Sequence, residues 1–358
     1  MKKIYGEYMG KFLVPDARIY IGMKDDGIEF AQMSFMSMGQ MHSDFDSIKL
    51  LNDDEATFVI VTSGTSMDVV CKLVNDKLNV HIDINNDMSI DYELEKISST
   101  AVYEKEYFVI PEQNIAALKR NNKYQKDDVI VEYEYELYNE NVLKFLDERG
   151  FERVNDKSFN SIWKLYTRLC ELYTQNGLNY VHSKDLGTIA QIKQAESHDG
   201  FTNCRGISII FSGVLRANGI KAFYEGLFPL NVDDSECHIV NEVYVEDFNK
   251  YVLFDASLCA VYKLDGNYLN SIEIKNAIID GRAGEIEIER CCNKKKSNSL
   301  EILSYYSKNI GHLVRCINNS ESTDTTEDNQ IVLSPVSVKD TYEKNGLVTT
   351  DINKYYMW

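Results

Sequence analysis

At 358 residues the chain is long enough to bury a sizeable core and to hold two domains, or one domain with a large elaboration. Its composition, 44% hydrophobic and 26% charged, is that of an ordinary soluble globular protein and excludes a fibrous or low-complexity one. The formal net charge of −18, from 56 acidic against 38 basic residues, repels phosphate backbones and anionic lipid surfaces, so no nucleic acid and no membrane is expected as partner; a cationic or amine-bearing substrate fits better.

The first stretch, MKKIYGEYMGKFLVP, carries two lysines, but Glu7 and Lys11 interrupt any apolar signal core. No window approaches the ~20 apolar residues of a membrane span. A cytoplasmic protein is expected. The eight cysteines, at 71, 170, 204, 237, 259, 291, 292 and 316, lack the spacing of a small disulfide scaffold, which predicts reduced and mostly buried thiols.

Residues 1–138 read as a β-rich N-terminal domain. RIYIGMKDDGIEFAQMSF predicts a hairpin around Asp26-Gly27, and MDVVCKLVNDKLNVHIDI another around Asn75-Asp76. ATFVIVTSG adds a strand, and DVIVEYEYELY alternates as a half-exposed strand does. Residues 139–358 change texture and read as a second, α+β domain with a C-terminal extension. In SFNSIWKLYTRLCELYTQNG the apolar positions recur at helical spacing, with Ser158 as cap and Gly177 as stop. FTNCRGISIIFSGVLRANGI predicts a second helix, followed by the strands IKAFYEGL, HIVNEVYVE and KYVLFDA. NNSESTDTTEDNQ reads as a polar loop.

On the second helix Ile207, Ile210, Phe211, Val214 and Leu215 form one stripe with Cys204 in the same arc, so the thiol is expected to face the body of the protein. Gly206, Gly213 and Ala217 would admit a close backbone neighbour, while Arg205, Ser208, Ser212 and Arg216 lie opposite the apolar stripe. Thr202 or Asn203 caps the helix, and Asn218-Gly219 ends it. A first-turn cysteine feels unpaired N–H groups and the positive end of the helix dipole, both of which favour thiolate. By itself such a cysteine is more often an inert buried thiol.

Thiolate catalysis also needs an imidazole to carry the proton and a third group to hold its tautomer. His238 opens the strand HIVNEVYVE and Asp255 ends YVLFD. A hairpin centred between Glu246 and Asp247 sets these two residues opposite each other, about 5 Å apart at Cβ.

These motifs resemble the transglutaminase-like superfamily, whose core is a papain-like fold. There a cysteine opens a helix ending in Leu-Arg-x-x-Gly-Ile, matched by Cys204 with Leu215, Arg216, Gly219 and Ile220. The histidine strand His-x-x-Asn-Glu is matched by His238, Asn241 and Glu242, and Asp-Ala-Ser by Asp255, Ala256 and Ser257. The resemblance covers roughly 141–290 and implies an α+β, papain-like catalytic core. It also implies Cys204 as nucleophile, His238 as general acid/base and Asp255 as orienting carboxylate. Departures from the family pattern at Val240 and at Thr202-Asn203 bear on the substrate groove more than on the triad. Beyond the Cys204 backbone N–H, the oxyanion donors considered are Tyr180, Gln194 and His198.

Blander readings stand beside these. Cys204, Cys237, His238 and Cys259 invite a metal site, but Cys237 and His238 are strand neighbours pointing to opposite faces, so no metal and no cofactor is expected. Cys291-Cys292 lacks the spacer of a redox motif and reads as an ordinary thiol pair. DINNDMSIDYEL lacks the glycine and the glutamate of a calcium loop. The methionines 33, 36, 38 and 41 read as adaptable packing, and His42, His81, His182 and His312 as surface or satisfied histidines.

The expected chemistry is acyl transfer through a thioester on Cys204. The leading reading is an acyltransferase joining a carboxamide or thioester donor, for example one on a carrier protein in natural-product biosynthesis, to an amine. It rests on the acidic charge and on a companion domain able to shield the thioester. The alternative is a cysteine peptidase or amidase acting on a peptide-like substrate, and the third reading is a catalytically silent binding protein.

Overall fold

The computed structural model describes residues 2–12, 14–35, 41–62, 65–84, 88–103, 107–108, 110–175, 182–231, 233–234, 236–292, 299–321, 329–342 and 346–357. They form a mixed α+β protein of two compact units, Met1–Pro111 and Glu112–Trp358.

The first unit is antiparallel β. Its strands are β1 (Gly6–Phe12), β2 (Val14–Met23), β3 (Glu29–Phe35), β4 (Met41–Asp44) and β5 (Asp46–Leu50), then β6 (Glu55–Thr62), β7 (Thr65–Val74), β8 (Lys77–Ile84), β9 (Met88–Ser98) and β10 (Tyr107–Phe108). They pair in the order β10-β4-β3-β2-β1-β9-β8-β7-β6-β5. The Phe45 N–H bonds to the Ala31 carbonyl at 2.9 Å, which brings the far end of the sheet back beside β3 and curls it into a near-barrel. Period-two alternation puts Tyr8, Ile19, Ile21, Phe58, Val69 and Val80 into its interior, where Phe45 stacks on Phe58 at 4.4 Å. Both expected hairpins form. In the second, Val74 pairs Lys77 across Asn75 and Asp76, whose φ values of 51° and 60° are those of the tight turn that matches strand twist. Of the four clustered methionines, Met33 is buried, while Met36 and Met38 lie outside the described residues.

The second unit opens with α1 (Glu112–Arg120), β11 (Glu134–Tyr135), α2 (Glu140–Asp147), α3 (Phe159–Leu172) and β12 (Thr174–Gln175). It continues with α4 (Thr188–Glu196), β13 (Phe201–Thr202), α5 (Cys204–Ala217), β14 (Ala222–Phe228), β15 (His238–Val245) and β16 (Lys250–Asp255). Next come β17 (Ala260–Leu264), β18 (Asn267–Tyr268), α6 (Ser271–Ile279), β19 (Glu287–Arg290), α7 (Ser299–Asn309), β20 (His312–Cys316) and β21 (Asn318–Asn319). Last are β22 (Gln330–Leu333), α8 (Lys339–Tyr342), β23 (Leu347–Thr349) and α9 (Ile352–Tyr355). The central sheet runs β18-β17-β16-β15-β14-β20-β22-β23, with β19 beside β17.

DVIVEYEYELY departs from its expected strand. Only Glu134–Tyr135 is extended, in parallel with Asn318–Asn319, and the segment belongs to the second unit. Two of its aromatic side chains meet a cation instead of a strand: the Arg315 guanidinium lies 4.0 Å from the Tyr133 ring centroid and 5.8 Å from that of Tyr135. In α3 the Ser158 cap forms and accepts from the Ser161 N–H. The helix ends at Leu172, and Gly177, the expected stop, lies outside the described residues.

The helix α5 is buried on all sides. Ile207, Ile210, Phe211, Val214 and Leu215 join the main core, as the periodicity predicts. Ser208, Ser212 and Arg216, on the face opposite that stripe, are buried as well. They face the sheet, and short polar groups are satisfied there: Ser208 Oγ donates to the Ile239 carbonyl at 3.0 Å and receives Asn241 Nδ2 on its own carbonyl at 2.8 Å. On another side Gly213 meets α4 so closely that a Cβ would stand 1.8 Å from Thr188 Oγ1. Asn203 caps the helix through the Gly206 N–H, and Gly219, at φ +78°, ends it. Among the described residues no helix is long and apolar enough to cross a membrane.

Candidate active site

Cys204 occupies the first position of α5. Side chains on a helix lean toward its N-terminus, so a first-turn residue points off the helix end. Its sulfur accordingly packs with Ile209, Tyr224, Ile239 and Cys316 beside β15, and not with the Ile207 stripe, where the helical wheel places it. It is half-buried.

The strand β15 carries His238 to this sulfur. Its register with β16 pairs Asn241 with Phe254 and Val245 with Lys250, two residues away from the expected alignment. The turn is longer than a two-residue hairpin: Glu246–Phe248 form a 3₁₀ turn and Asn249 is left-handed at φ 50°. A shift of two keeps both side chains on one face, because strand side chains alternate with period two. His238 and Asp255 are therefore diagonal neighbours, and His238 Nε2 lies 2.8 Å from Asp255 Oδ2.

Electrostatics complete the arrangement. Burial opposes the charged form of His238, but the Asp255 carboxylate and the hydrogen bond to Cys204 outweigh it, and its pKa is raised to about 10. Burial likewise opposes the Cys204 thiolate; the hydrogen bond and charge of His238 and the Ile239 backbone reverse the balance and hold the thiol below its ordinary value. Asp255 is fully buried, which disfavours its charge, yet His238 and two further donors keep it below the usual carboxylate range. Those donors are Tyr306 Oη at 2.5 Å and the Leu258 N–H at 3.1 Å. All three shifts favour the charged forms: thiolate on Cys204, imidazolium on His238 and carboxylate on Asp255.

Two of these supports come from α7, beyond the motifs. Tyr306 bonds Asp255, and the Tyr305 ring packs edge-on to His238 at 5.6 Å while its hydroxyl donates to the Cys237 carbonyl at 3.2 Å. Their sequence signal is an adjacent pair of tyrosines in a helix, which no catalytic motif marks.

A cavity of about 330 Å³ opens beside the sulfur and is lined in part by His182, Asn203, Arg205, Cys237, Ile239 and Gln330. Of the three oxyanion donors considered, Tyr180 lies outside the described residues. Gln194 and His198 sit at the C-terminal end of α4, where the His198 ring bonds the Gln194 carbonyl at 3.0 Å, and neither lines this cavity. His182 does line it, and Asn203 Nδ2 stands 3.2 Å from its Nδ1. Burial and the nearby Arg205 charge lower its pKa and keep it neutral. A second cavity, of about 600 Å³, borders Lys250, Asp265, Glu273 and Arg282. The first two acids there are already paired with bases, and no triad residue reaches it.

His81 is held between Asp83 and Asp91 on the β surface. His312 is buried, with its pKa lowered to about 3 by that burial and by Lys275. Cys237 lines the cavity while His238 reaches Asp255, so the two do not converge on one ion. Cys259 lies elsewhere, with Cys170 and Cys291: the three sulfurs are within 4.8 Å of one another. The calcium-like segment is the β8–β9 hairpin, and residues 85–87 lie outside the described part.

No family model matches the chain, and no curated relative matches it either. Among solved structures the chain is similar to one from Cytophaga hutchinsonii, provisionally named a cysteine protease, at 10% identity and a TM-score of 0.27, covering 69% of this chain and 79% of that one.

Proposed function

We propose that this chain is a cysteine-dependent acyl-transfer enzyme whose triad is Cys204, His238 and Asp255, and that water resolves its acyl-enzyme, making it a cysteine peptidase or amidase. The observation that carries this reading is the Asp255–His238 hydrogen bond at 2.8 Å, buried behind a thiol whose pKa His238 lowers. With Nε2 committed to Asp255, Nδ1 is the imidazole nitrogen left for the sulfur.

In this mechanism the Cys204 thiolate attacks a carboxamide or thioester carbonyl and a C–S bond forms. The tetrahedral oxyanion takes the free N–H of Cys204 at the start of α5, with His182 as the neighbouring side-chain donor. As the C–N or C–S bond of the substrate breaks, His238 gives its proton to the leaving group. Water, deprotonated by His238, then cleaves the acyl-thioester. The motif order, together with this geometry, supports a transglutaminase-like, papain-like core for the second unit.

A second reading keeps every residue and changes only the acceptor: an amine replaces water, giving an amide-forming acyltransferase. The charge of −18 favours it by concentrating cationic amines. One experiment separates the two. Purified protein is incubated with peptide amides and with aryl or pantetheine thioesters, with and without a diamine, and products are read by mass spectrometry. Free acid in both conditions supports hydrolysis, whereas amide product in the diamine arm supports transfer. If neither forms, and an electrophilic thiol probe labels Cys204 no faster after comparison with Cys204 in His238→Ala, the enzymatic reading fails.

A further inference from the structure

The cysteines that the triad does not use gather in one place. Cys170 comes from the middle of α3, Cys259 from the turn after Asp255, and Cys291 and Cys292 from the end of β19. The sulfurs of Cys170, Cys259 and Cys291 all lie within 4.8 Å of one another. Cys292 follows Cys291 in the chain, and its thiol interacts with Cys259. The backbone fixes this meeting: Ala260 pairs Arg290 across β17 and β19, and the Cys291 N–H bonds to the Cys259 carbonyl at 3.2 Å.

From this geometry we infer that Cys170, Cys259, Cys291 and Cys292 form a thiolate site for a single soft divalent cation of the zinc type. Three mutually adjacent sulfurs are more than a disulfide uses, and all are free thiols. Zinc held tetrahedrally by thiolates at roughly 2.3 Å sets the sulfurs about 3.8 Å apart, so a contraction of at most about 1 Å from separations within 4.8 Å closes the site. Cys259 has φ +53°, a left-handed conformation that costs a residue with a Cβ and that glycine or asparagine adopts more cheaply. A cysteine kept there aims its sulfur at Cys170. Cys170 and Cys259 are buried while Cys291 and Cys292 are half-buried, which gives an ion access from the β19 side. On binding, each thiol gives up its proton to solvent as its sulfur bonds the metal.

The site is structural and independent of the reaction at Cys204, since none of the four sulfurs borders that cavity. It would tie α3 and β19 to the turn that presents Asp255: Leu258, next to Cys259, donates its N–H to Asp255 and accepts Arg290 Nη1. The test uses full-length protein purified under reductant without added metal. Elemental analysis is expected to find stoichiometric zinc. Cobalt added to chelator-stripped protein is expected to give thiolate charge-transfer and intense tetrahedral d–d bands. Both signals are lost in Cys170→Ser and Cys259→Ser and kept in Cys71→Ser and Cys204→Ala. Should those serine variants misfold, alkylation of the wild type decides, because metal is expected to protect Cys291 and Cys292 but not Cys237. A reduced, folded wild type that binds cobalt without charge-transfer bands overturns the proposal. So does unchanged alkylation of Cys291 and Cys292 on adding zinc, or a Cys259–Cys291 disulfide in metal-free protein prepared anaerobically.

Discussion

His238 and Asp255 are diagonal, not opposite, across the β15–β16 hairpin, yet their side chains meet at 2.8 Å. Diagonal neighbours lie farther apart than opposed ones, about 7–8 Å and somewhat less at Cβ, a gap that the imidazole crosses to an anchored carboxylate. Here the anchor is Asp255, held by Tyr306 and by the Leu258 N–H. Asp255→Asn keeps the shape but removes the charge that raises His238, so the imidazole no longer stores a proton for the leaving group. Turnover is expected to fall by about 10²–10⁴-fold with thermal stability little changed; an unaltered rate would remove Asp255 from the triad.

The pKa directions give a pH dependence for the thiol alone. The Cys204 thiol is held below its ordinary value and His238 is raised to about 10, so both shifts favour the thiolate–imidazolium pair over the neutral one. Alkylation of Cys204 by iodoacetamide should therefore hold its rate to lower pH than that of an ordinary thiol. In His238→Ala the thiol loses its largest stabilising partner while its burial remains, and the reactivity curve is expected to move up in pH. Mass-spectrometric rates at Cys204 against pH check this, with Cys71, whose burial raises its thiol, as the internal reference.

Tyr306 bonds Asp255 and is expected to act through it rather than on substrate. Tyr306→Phe deletes a hydrogen bond to a buried carboxylate, a kind worth about 1.5–3 kcal/mol, and leaves the ring that packs against His238 and Tyr262. Because the carboxylate is less firmly held, kcat should drop about tenfold while KM stays level. Equal changes in both, or none, would show that the bond is only structural.

Cys204, His238 and Asp255 are legible as candidates because they sit in short, ordered motifs within one stretch, and the Gly219 stop and a cap at Thr202 or Asn203 are legible for the same local reason. Register is not, since an αL residue at Asn249 lengthens the turn without a glycine to announce it. Tyr305 and Tyr306 escaped because their function depends on α7 packing over β15 from far along the chain. The burial of Ser208 and Ser212 was hidden too: a helix sandwiched between other helices and a sheet hides its polar face, and period alone reports only the apolar one. The tyrosines of DVIVEYEYELY alternate as a strand would, but a distant Arg315 claims their ring faces.

Close packing of α5 on α4 predicts the largest stability effect of a small change. Gly213→Ala places a methyl 1.8 Å from Thr188 Oγ1 and 2.8 Å from its Cβ, contacts that rotation of Thr188 alone does not relieve. A loss of about 1–3 kcal/mol or more is expected from such overpacking, despite the higher helix propensity of alanine. Thr188→Gly in the same chain should recover most of it, as read by denaturant unfolding; a neutral Gly213→Ala would mean that the two helices stand farther apart.

Beneath the sheet, Glu225 and Glu242 are both fully buried and share one hydroxyl, with Ser271 Oγ placed to bond Glu225 Oε2 and Glu242 Oε1. A hydroxyl has a single proton, so both contacts are satisfied only if one carboxyl is protonated and donates back to the serine oxygen. Burial raises Glu225 to about 7, and burial together with the Glu225 charge raises Glu242 well above its ordinary value. A carboxyl with a raised folded-state pKa favours the fold while protonated. Its contribution is complete below the unfolded value of 4.5 and is lost as pH climbs through about 7. Melting temperature should consequently decline between pH 4.5 and pH 7 from this source. Glu225→Gln mimics the protonated acid, so it should match the wild type near the acidic end of that window and exceed it above neutrality. Parallel melting curves for the two proteins across the window would instead mean that the pair is not titrating there.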